Sequence, residues 1–159
     1  MIETTVLQSV SPLRTLSEAF QYQTTDAPQF IDITEDVLES VERSGVTNGV
    51  VVIFSRHTTA AIKINESEPE LLKDMARFLC EMAPVDRDYG HNDFDVRTVN
   101  MEDDERPNAH SHCQHLMLNA SESVPVLDGR VDLGRWQRIF LVELDGEKSR
   151  QVTVQVLGI

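Results

Sequence analysis

The sequence predicts a single α+β domain, spanning residues 1–159, with a largely antiparallel, sandwich-like sheet and two or three helices. Two observations lead to this prediction. About eight short segments carry strand patterns, and two or three segments carry helical periodicity, with mostly short connections between them. The length of 159 residues suits one domain with a buried core, and 40% hydrophobic and 26% charged content is ordinary for a globular protein.

The first third of the chain predicts two strands and one helix. Residues 15–23 are typical of a strand, and residues 30–34 form a short alternating segment. Thr34 suits the N-cap of a helix because its hydroxyl can accept a backbone hydrogen bond, and two acidic residues follow in the first turn. Gly45 suits the C-terminal end of this helix.

The middle of the chain predicts two further strands and a longer helix. Residues 49–54 form a continuous apolar run rich in β-branched residues, which is typical of a strand buried on both faces. Residues 60–65 resume as a second strand. Ser67 suits the N-cap of the following helix and Pro84 ends it, and its apolar stripe is expected to pack in the core. The stripe consists of Leu71, Leu72, Met75, Phe78, Leu79 and Met82.

The last third predicts a hairpin and two long strands. Residues 124–127 and 130–133 flank an Asp-Gly pair, which is a preferred two-residue hairpin turn. Residues 135–145 predict a long strand, and residues 151–157 alternate as a final one. One face of the long strand is expected to carry Trp136, Phe140, Val142 and Leu144, and the other face Ile139 and Leu141.

The chain carries 14 basic and 27 acidic residues, which gives a formal net charge of −13. Nucleic-acid binding requires Lys and Arg to neutralise phosphates, so this balance argues against DNA or RNA and also against anionic membrane surfaces. The acidity can serve solubility alone, or it can provide a field that attracts cations, metal ions included.

Nothing in the sequence predicts export or a membrane span. The chain has no run of about 18 apolar residues, and its N-terminus lacks the basic and apolar regions of a signal peptide. Cys80 and Cys113 lie in different segments and are expected to be reduced thiols. We therefore expect a cytoplasmic protein.

Residues 107–118 hold three of the five histidines in a segment that is expected to be helical. On a regular helix His110 and His112 point about 200° apart, so one metal ion cannot take both. His112 and His115 lie about 60° apart on the same side. This spacing leaves two alternatives: a pair formed by His112 and His115, or His112 alone with distant partners.

Two further histidines precede this segment. His57 lies where the apolar strand breaks, and His91 lies with Asp93 in residues 84–107, an acidic stretch long enough to be functional or disordered. A catalytic zinc ion takes three protein ligands, and neutral imidazole is a common donor. The histidines could converge on such a site, or each could be a polar surface residue.

Several polar residues outside the histidine motifs could bind a ligand or take part in catalysis. Asn65 and Glu66 follow a strand, where they can form a turn or offer a carboxylate for acid–base work. Trp136 and Gln137 open the long strand, where core packing and solvent exposure are the alternatives to ligand binding. Arg150 could bind an anion, although edge strands often carry such charges.

Three motifs and one spaced signature stand out. The motifs are residues 57–66 (His-Thr-Thr-Ala-Ala-Ile-Lys-Ile-Asn-Glu), residues 91–93 (His-Asn-Asp) and residues 108–112 (Asn-Ala-His-Ser-His). The signature consists of Ser121, Val124, Val126, Gly129, Gly134, Trp136, Gln137 and Ile139, and the basic Arg150 precedes the last strand. In these residues the chain resembles the YjbQ family of small bacterial and archaeal proteins, from about Ile33 to its C-terminus.

One position departs from the family pattern. The family usually has Gly-Thr-Trp-Gln where this chain has Gly134-Arg135-Trp136-Gln137. A large cation thus replaces a small hydroxyl beside the signature tryptophan. This change affects ligand identity if the position faces the pocket, and it leaves the fold unaffected.

The resemblance implies an α+β sandwich-like homotrimer with a site near the subunit boundaries. It implies that His57, His91 and His112 hold a divalent metal ion, with zinc as the expected metal, whereas His110 and His115 have no dependable family counterpart. A weak, secondary thiamine-phosphate synthase activity is attributed to the family, whose main role is unsettled.

Three functional hypotheses follow. In the first, an enzyme uses Asp93 or Glu66 as the acid–base group while the metal polarises a small anionic or phosphorylated substrate, whose charge is neutralised by Arg150 and Arg138. In the second, the same site binds a metal or small ligand without turnover. In the third, the domain is structural and its histidines are incidental. The expected substrate-binding residues are Asn65, Trp136, Gln137 and Arg150.

Overall fold

The computed structural model describes residues 12–159. The expected absence of a signal peptide and the start of the predicted 1–159 domain concern the first eleven residues, which lie outside this part. Eight strands and three α-helices form within it, so the predicted α+β class is confirmed. The strands are β1 (Arg14–Gln23), β2 (Gln29–Asp32), β3 (Gly49–Ser55), β4 (Ala60–Glu66), β5 (Ser121–Leu127), β6 (Arg130–Val131), β7 (Gln137–Glu143) and β8 (Ser149–Gly158). The helices are α1 (Thr34–Ser44), α2 (Pro69–Met82) and α3 (Ala109–His115).

The strands form two antiparallel sheets. One sheet has five strands in the order β1-β8-β3-β5-β6, and the other has three in the order β2-β7-β4. Every pairing between these strands is antiparallel, as the sandwich-like prediction expects. The longest ladder joins β1 to β8, from Arg14 opposite Gly158 to Gln23 opposite Ser149.

The main core lies between the two sheets and against α1. Aliphatic side chains alternate along β3, β5 and β8, so that one face of each strand is buried. Fully burying one such side chain contributes about 1.5–3 kcal/mol. The buried members include Val51, Ile53, Val124, Val126, Val152, Val154 and Val156 from the five-stranded sheet, Ile62, Ile139 and Leu141 from the three-stranded sheet, and Val37 and Val41 from α1.

A second, smaller core lies on the other face of the three-stranded sheet. Phe140 and Val142 project there and pack with Leu79 of α2. The buried side-chain amide of Gln114 on α3 donates to the carbonyls of Leu79 at 3.2 Å and Ala83 at 3.3 Å. These bonds tie α3 to the end of α2, which fixes the helix that carries His112.

The backbone confirms the predicted turn and the end of the first helix. Asp128 (φ 50°) and Gly129 (φ 75°) turn β5 into β6, and both adopt the left-handed conformation that this two-residue hairpin requires. Gly45 ends α1 with φ 63°. Thr34 is the first helical residue rather than the N-cap, because its hydroxyl donates to the Asp32 carboxylate at 2.6 Å.

The expected burial of β3 on both faces is wrong. Val51 and Ile53 are fully buried, whereas Phe54, on the opposite face, is 42% exposed. Within residues 12–159, other elements cover the inner face of the five-stranded sheet and leave its outer face open. The outer face therefore keeps part of an apolar run in contact with solvent.

The expected burial of the α2 stripe is confirmed only in part. Leu79 is buried, but Phe78 and Met82 are 54% and 50% exposed. The three-stranded sheet beneath α2 is narrow, so it covers only one side of the stripe. Neither this helix nor any other within residues 12–159 is long and apolar enough to cross a membrane.

β7 begins at Gln137, later than predicted, and Trp136 lies outside it. The Gln137 backbone N–H donates to the Gly134 carbonyl at 2.9 Å, and its side-chain oxygen accepts from the Gly134 N–H at 2.7 Å, so the intervening residues form a turn. Trp136 is 61% exposed, which corrects its expected place on the face of Phe140. The alternation that follows is confirmed, since Ile139 lies in the main core and Phe140 in the second.

Candidate functional site

The acidic segment after α2 is held by hydrogen bonds within itself and to α3. The Tyr89 hydroxyl donates to the Pro84 carbonyl at 2.9 Å. The side-chain oxygen of Asn92 accepts from the Ala109 backbone N–H at 3.0 Å, which satisfies one of the unpaired donors at the start of α3. Because Asn92 adjoins His91, this contact places His91 beside α3.

His91 and His112 form an edge-to-face pair. Their ring centroids lie 4.9 Å apart at an interplanar angle of 71°. Burial, and then the proximity of His91, lower the pKa of His112 below its ordinary value of 6.5. Of the two alternatives left by the helical spacing, the structure pairs His112 with a distant partner.

Arg97 organises the segment around His91. Its Nε donates to the Val99 carbonyl at 3.2 Å, its Nη1 contacts Nε2 of His91 at 3.2 Å, and its Nη2 donates to the Asn100 carbonyl. It also forms a two-point pair with Glu105, with Nη1–Oε1 at 2.5 Å and Nη2–Oε2 at 3.1 Å. Nη1 of Arg97 thus lies within hydrogen-bond distance of both the His91 ring and Glu105.

His91, His112 and Arg97 line a cleft of about 450 Å³, which we call the polar cleft. Besides the imidazoles, three cations and three carboxylates line it, so its charge is balanced. The other charged residues are Glu102, Asp104, Glu105, Arg106 and Lys148. A ligand entering the polar cleft therefore meets both donors and acceptors.

His57 lies in a different cleft. Its Nε2 accepts from the Gln151 backbone N–H at 2.9 Å. Burial, and then the nearby charge of Arg150, lower the pKa of His57. This cleft of about 500 Å³, which we call the apolar cleft, is also lined by Phe54, Cys113, His115 and Leu116. His112 borders both clefts.

Arg150 takes part in a buried ion pair. The fully buried Glu143 accepts from its Nε at 2.5 Å and from its Nη2 at 2.6 Å. The same Nη2 donates to the Thr59 hydroxyl at 2.9 Å. Arg150 is only 6% exposed. Arg150 thus links neighbouring strands beside His57. An anionic substrate would have to compete with Glu143 for the Arg150 guanidinium.

Within residues 12–159 the structure places two of the predicted metal ligands side by side, not three. Within residues 12–159, no group of three or more His, Cys, Asp or Glu side chains is positioned to hold a metal ion. Nε2 of His57 already accepts from Gln151, and Nε2 of His91 lies 3.2 Å from Nη1 of Arg97, so a metal ion would have to displace a donor at either ring. The pair of His91 and His112 offers two nitrogen donors, one fewer than a catalytic zinc ion takes from protein. The residues thus fit a two-histidine ion site and not a three-histidine one.

The predicted acid–base residues lie apart from this pair. Asp93 is exposed, and its Oδ1 accepts from the Asp95 backbone N–H at 3.1 Å, so it stabilises a turn. Glu66 ends β4, a strand of seven residues that begins just after His57. A strand of that length spans roughly 20 Å. Glu66 is therefore remote from His57.

Asn65, Glu66, Trp136 and Gln137 gather where β4 and β7 meet, with Glu66 directly opposite Gln137. A third cleft of about 520 Å³ lies there, lined in part by Glu66 and Trp136. The Arg135 guanidinium lies 4.5 Å from the centre of the Trp136 ring. The residue that departs from the family pattern thus covers one face of the signature tryptophan.

Three residues of the polar cleft region escaped prediction: Asn92, Arg97 and Glu105. Asn92 forms part of a recognised motif, but its contact with α3 depends on the fold. One sequence feature points to Arg97: it is a cation within an acidic stretch, and its five N–H donors suit it to bind several acceptors at once.

Comparison with known proteins identifies relatives over most of the chain. The UPF0047 protein of Methanothermobacter thermautotrophicus is 43% identical over 136 residues, which cover 86% of this chain and 87% of the relative. The UPF0047 protein YugU of Bacillus subtilis is 33% identical over 142 residues, which cover 89% of this chain and 98% of the relative.

Solved structures show the same fold. A YbjQ-like protein of unknown function from Sulfolobus solfataricus P2 reaches a TM-score of 0.83 at 36% identity, covering 93% of this chain and 100% of the other. A hypothetical protein from Aeropyrum pernix K1 reaches 0.80 at 35% identity, covering 91% and 99%. The family model described as UPF0047 protein YjbQ-like matches residues 18–159. The resemblance predicted from the motifs is confirmed, and the chain belongs to the YjbQ-like UPF0047 family.

Proposed function

We propose that the protein is a cytoplasmic homotrimer whose polar cleft binds a small phosphorylated compound together with a divalent metal ion, zinc. The observation that carries the proposal is the contact of His91 with His112, whose rings lie 4.9 Å apart in the cleft that Arg97 also lines. Two imidazoles and a guanidinium in one cleft suit a metal ion and an anion, respectively.

The metal would bind through His91 and His112. When bound, it would act as a Lewis acid that polarises an oxygen of the ligand. The protein's own residues hold these rings in place: Asn92 anchors the turn of His91 on α3, and Gln114 anchors α3 on α2. A metal ion on Nε2 of His91 would replace the contact of that nitrogen with Nη1 of Arg97, which lies 3.2 Å away. A third protein ligand would come from another copy, because the described chain supplies only two at this place.

The outer face of the five-stranded sheet supports the homotrimer. Side chains there alternate with the buried ones, and apolar residues stand on several strands among polar ones such as Ser123 and Gln155; exposed apolar residues grouped in this way are typical of an interaction surface. They include Val50, Val52, Phe54, Pro125 and Leu157. The apolar cleft continues this surface with Leu116, which is 85% exposed. A copy docked there would lie beside His112, where it could supply a ligand such as Glu66.

The geometry supports binding better than turnover. Asp93 stabilises a turn, and a Glu66 supplied by another copy would be occupied as a metal ligand, so neither predicted acid–base residue is free to move a proton at the histidine pair. We therefore propose a metal-dependent small-ligand binding protein as the main function. Weak thiamine-phosphate synthase-like transfer, the activity attributed to the family, is the enzymatic alternative.

Elemental analysis of purified protein tests the metal site. Protein purified with zinc in the buffer and then desalted should retain stoichiometric zinc, and His112→Ala should lose it while remaining a trimer by light scattering. His110→Ala is the matched control, because His110 lies on the same helix but contacts Ser111 instead of the pair. Equal zinc content in His112→Ala and the wild type would refute the site.

A transfer assay separates the two functions. The protein would be incubated with the phosphorylated precursors of thiamine phosphate, with and without a chelator. Binding of a precursor without product supports the binding function. Chelator-sensitive product formation that His112→Ala abolishes supports the enzyme.

A further inference from the structure

We infer that Arg97 is the residue of the polar cleft that recognises a phosphoryl group, and that Glu105 occupies its binding face when no ligand is bound. The inference rests on the proposed function, since it names the residue that binds the phosphorylated compound. Glu105 would thus act as an internal competitor that the ligand displaces.

The Arg97–Glu105 contact has the form of a ligand complex. Two nitrogens of the guanidinium face the two carboxylate oxygens of Glu105, at 2.5 Å and 3.1 Å. This parallel two-point geometry is the one by which arginine binds carboxylates and phosphates. Both side chains are largely shielded, at 11% and 15% exposed, and they line the same cleft as the histidine pair.

The guanidinium does not depend on Glu105 for its position. Its other donors are held by the carbonyls of Val99 and Asn100 and by Nε2 and the carbonyl of His91. A ligand that replaced the carboxylate would therefore meet a donor already in place, which reduces the entropy lost on binding. The contact to Nε2 of His91 also sets the anion beside the histidine pair.

Glu105 is suited to be displaced. It lies on a turn, where its backbone N–H donates to the Glu102 carbonyl at 3.2 Å. Besides Arg97, the contacts of its carboxylate within residues 12–159 are the Glu102 backbone N–H at 3.3 Å and Nε2 of His91 at 3.8 Å. Hydrogen bonds from Arg97 lower the pKa of Glu105, which keeps its carboxylate charged. A phosphate that carries close to two charges brings more charge to the same donors than one carboxylate does.

The other candidate arginines are less available. Arg150 is buried against Glu143. Arg138 is paired with Asp32 at 2.7 Å and Glu35 at 3.1 Å, and it lines the third cleft rather than the polar one. Arg106 also lines the polar cleft, but of these two arginines Arg97 is the one that contacts His91.

Binding of inorganic phosphate to the full-length, metal-free protein tests the inference. Glu105→Gln keeps the shape of the side chain and removes its charge, so calorimetric titration should show phosphate binding about tenfold tighter than in the wild type. Glu102→Gln makes the same charge change in the same cleft without touching Arg97 through its side chain. This control should shift the affinity by less than about threefold.

Adding Arg97→Gln to Glu105→Gln should abolish the gain in phosphate affinity. If the Arg97→Gln variant does not fold, Arg97→Lys takes its place in the double variant. The inference is overturned if Glu105→Gln binds phosphate no tighter than Glu102→Gln, or if the gain survives without Arg97. Because the titration uses metal-free protein, its failure is distinct from a failure of the zinc measurement on His112→Ala.

Discussion

Replacing Glu143 by glutamine tests the buried ion pair beside His57. The Glu143 carboxylate is fully buried and accepts from the guanidinium of Arg150 at 2.5 Å and 2.6 Å. It also accepts from the backbone N–H groups of Leu144 at 3.0 Å and Asp145 at 2.8 Å. A glutamine of similar shape would leave the Arg150 charge buried without a counter-ion.

Removing one partner of such a pair typically costs about 3–5 kcal/mol, because the remaining charge is desolvated and unpaired. A domain of this kind has a total free energy of unfolding of about 5–15 kcal/mol. Glu143→Gln should therefore lower the melting temperature by about 6–20 °C, at about 2–4 °C per kcal/mol for a chain of this size.

Urea unfolding followed by circular dichroism measures this cost, at one fixed protein concentration because oligomers gain stability with concentration. Glu39→Gln is the control: its side chain is 65% exposed and paired with Arg43 at 3.1 Å, so its loss should cost about 0.5 kcal/mol or less. The reasoning fails if Glu143→Gln costs no more than Glu39→Gln.

Two further predictions concern pH and backbone packing. Burial is the main cause that lowers the pKa of His57, His110, His112 and His115 below 6.5. The unfolded chain therefore binds protons more readily than the folded chain does. The free energy of unfolding should be highest above about pH 6.5 and should decrease as the pH drops through the folded pKa values. Urea midpoints that stay constant from about pH 7.5 to about pH 5.5 would contradict this. An alanine at Gly49 would place its Cβ 2.1 Å from the Leu157 carbonyl oxygen. Gly49→Ala should cost about 2–4 kcal/mol in the same assay, whereas Gly90→Ala, with open space around its Cβ, should stay within about 1 kcal/mol; equal costs would refute the close approach.

The strands and turns were predictable because their signals are local. Alternation along the last strand predicts which side chains are buried, and Val152, Val154 and Val156 are indeed in the main core. The Asp128-Gly129 pair predicts its turn because both residues tolerate positive φ better than most. Such preferences act between neighbours in sequence and need no knowledge of the distant chain.

The exposure of individual side chains was less predictable, because it depends on which other element packs against them. The apolar run of β3 predicts burial on two faces, yet a protomer covers only one, and Phe54 remains 42% exposed. Trp136 begins a segment with strand alternation, but Gly134 and Gln137 close a turn that removes it from the strand. In both cases the local pattern does not reveal which parts of the described chain pack against the side chain.

The site was predictable in its histidines and not in their grouping. Helical geometry separates His112 from His110, and the structure follows it. The choice of His91 over His57 as the partner depends on two distant contacts. Asn92 bonds to the start of α3, and the Gln151 backbone bonds to the His57 ring. Neither contact has a periodicity or spacing by which a sequence pattern could predict it.

The net charge of −13 does not prevent phosphate binding, because only nearby charges act strongly on a bound anion. The screening length at physiological ionic strength is about 8 Å, so exposed carboxylates on remote surfaces contribute little at the polar cleft. The cleft itself is balanced, with three cations against three carboxylates. Its affinity for an anion is then decided by whether Glu105 or the ligand occupies Arg97. Under the proposed displacement of Glu105, an anion has to pair with Arg97 better than a carboxylate does, which favours phosphoryl groups because they carry close to two charges.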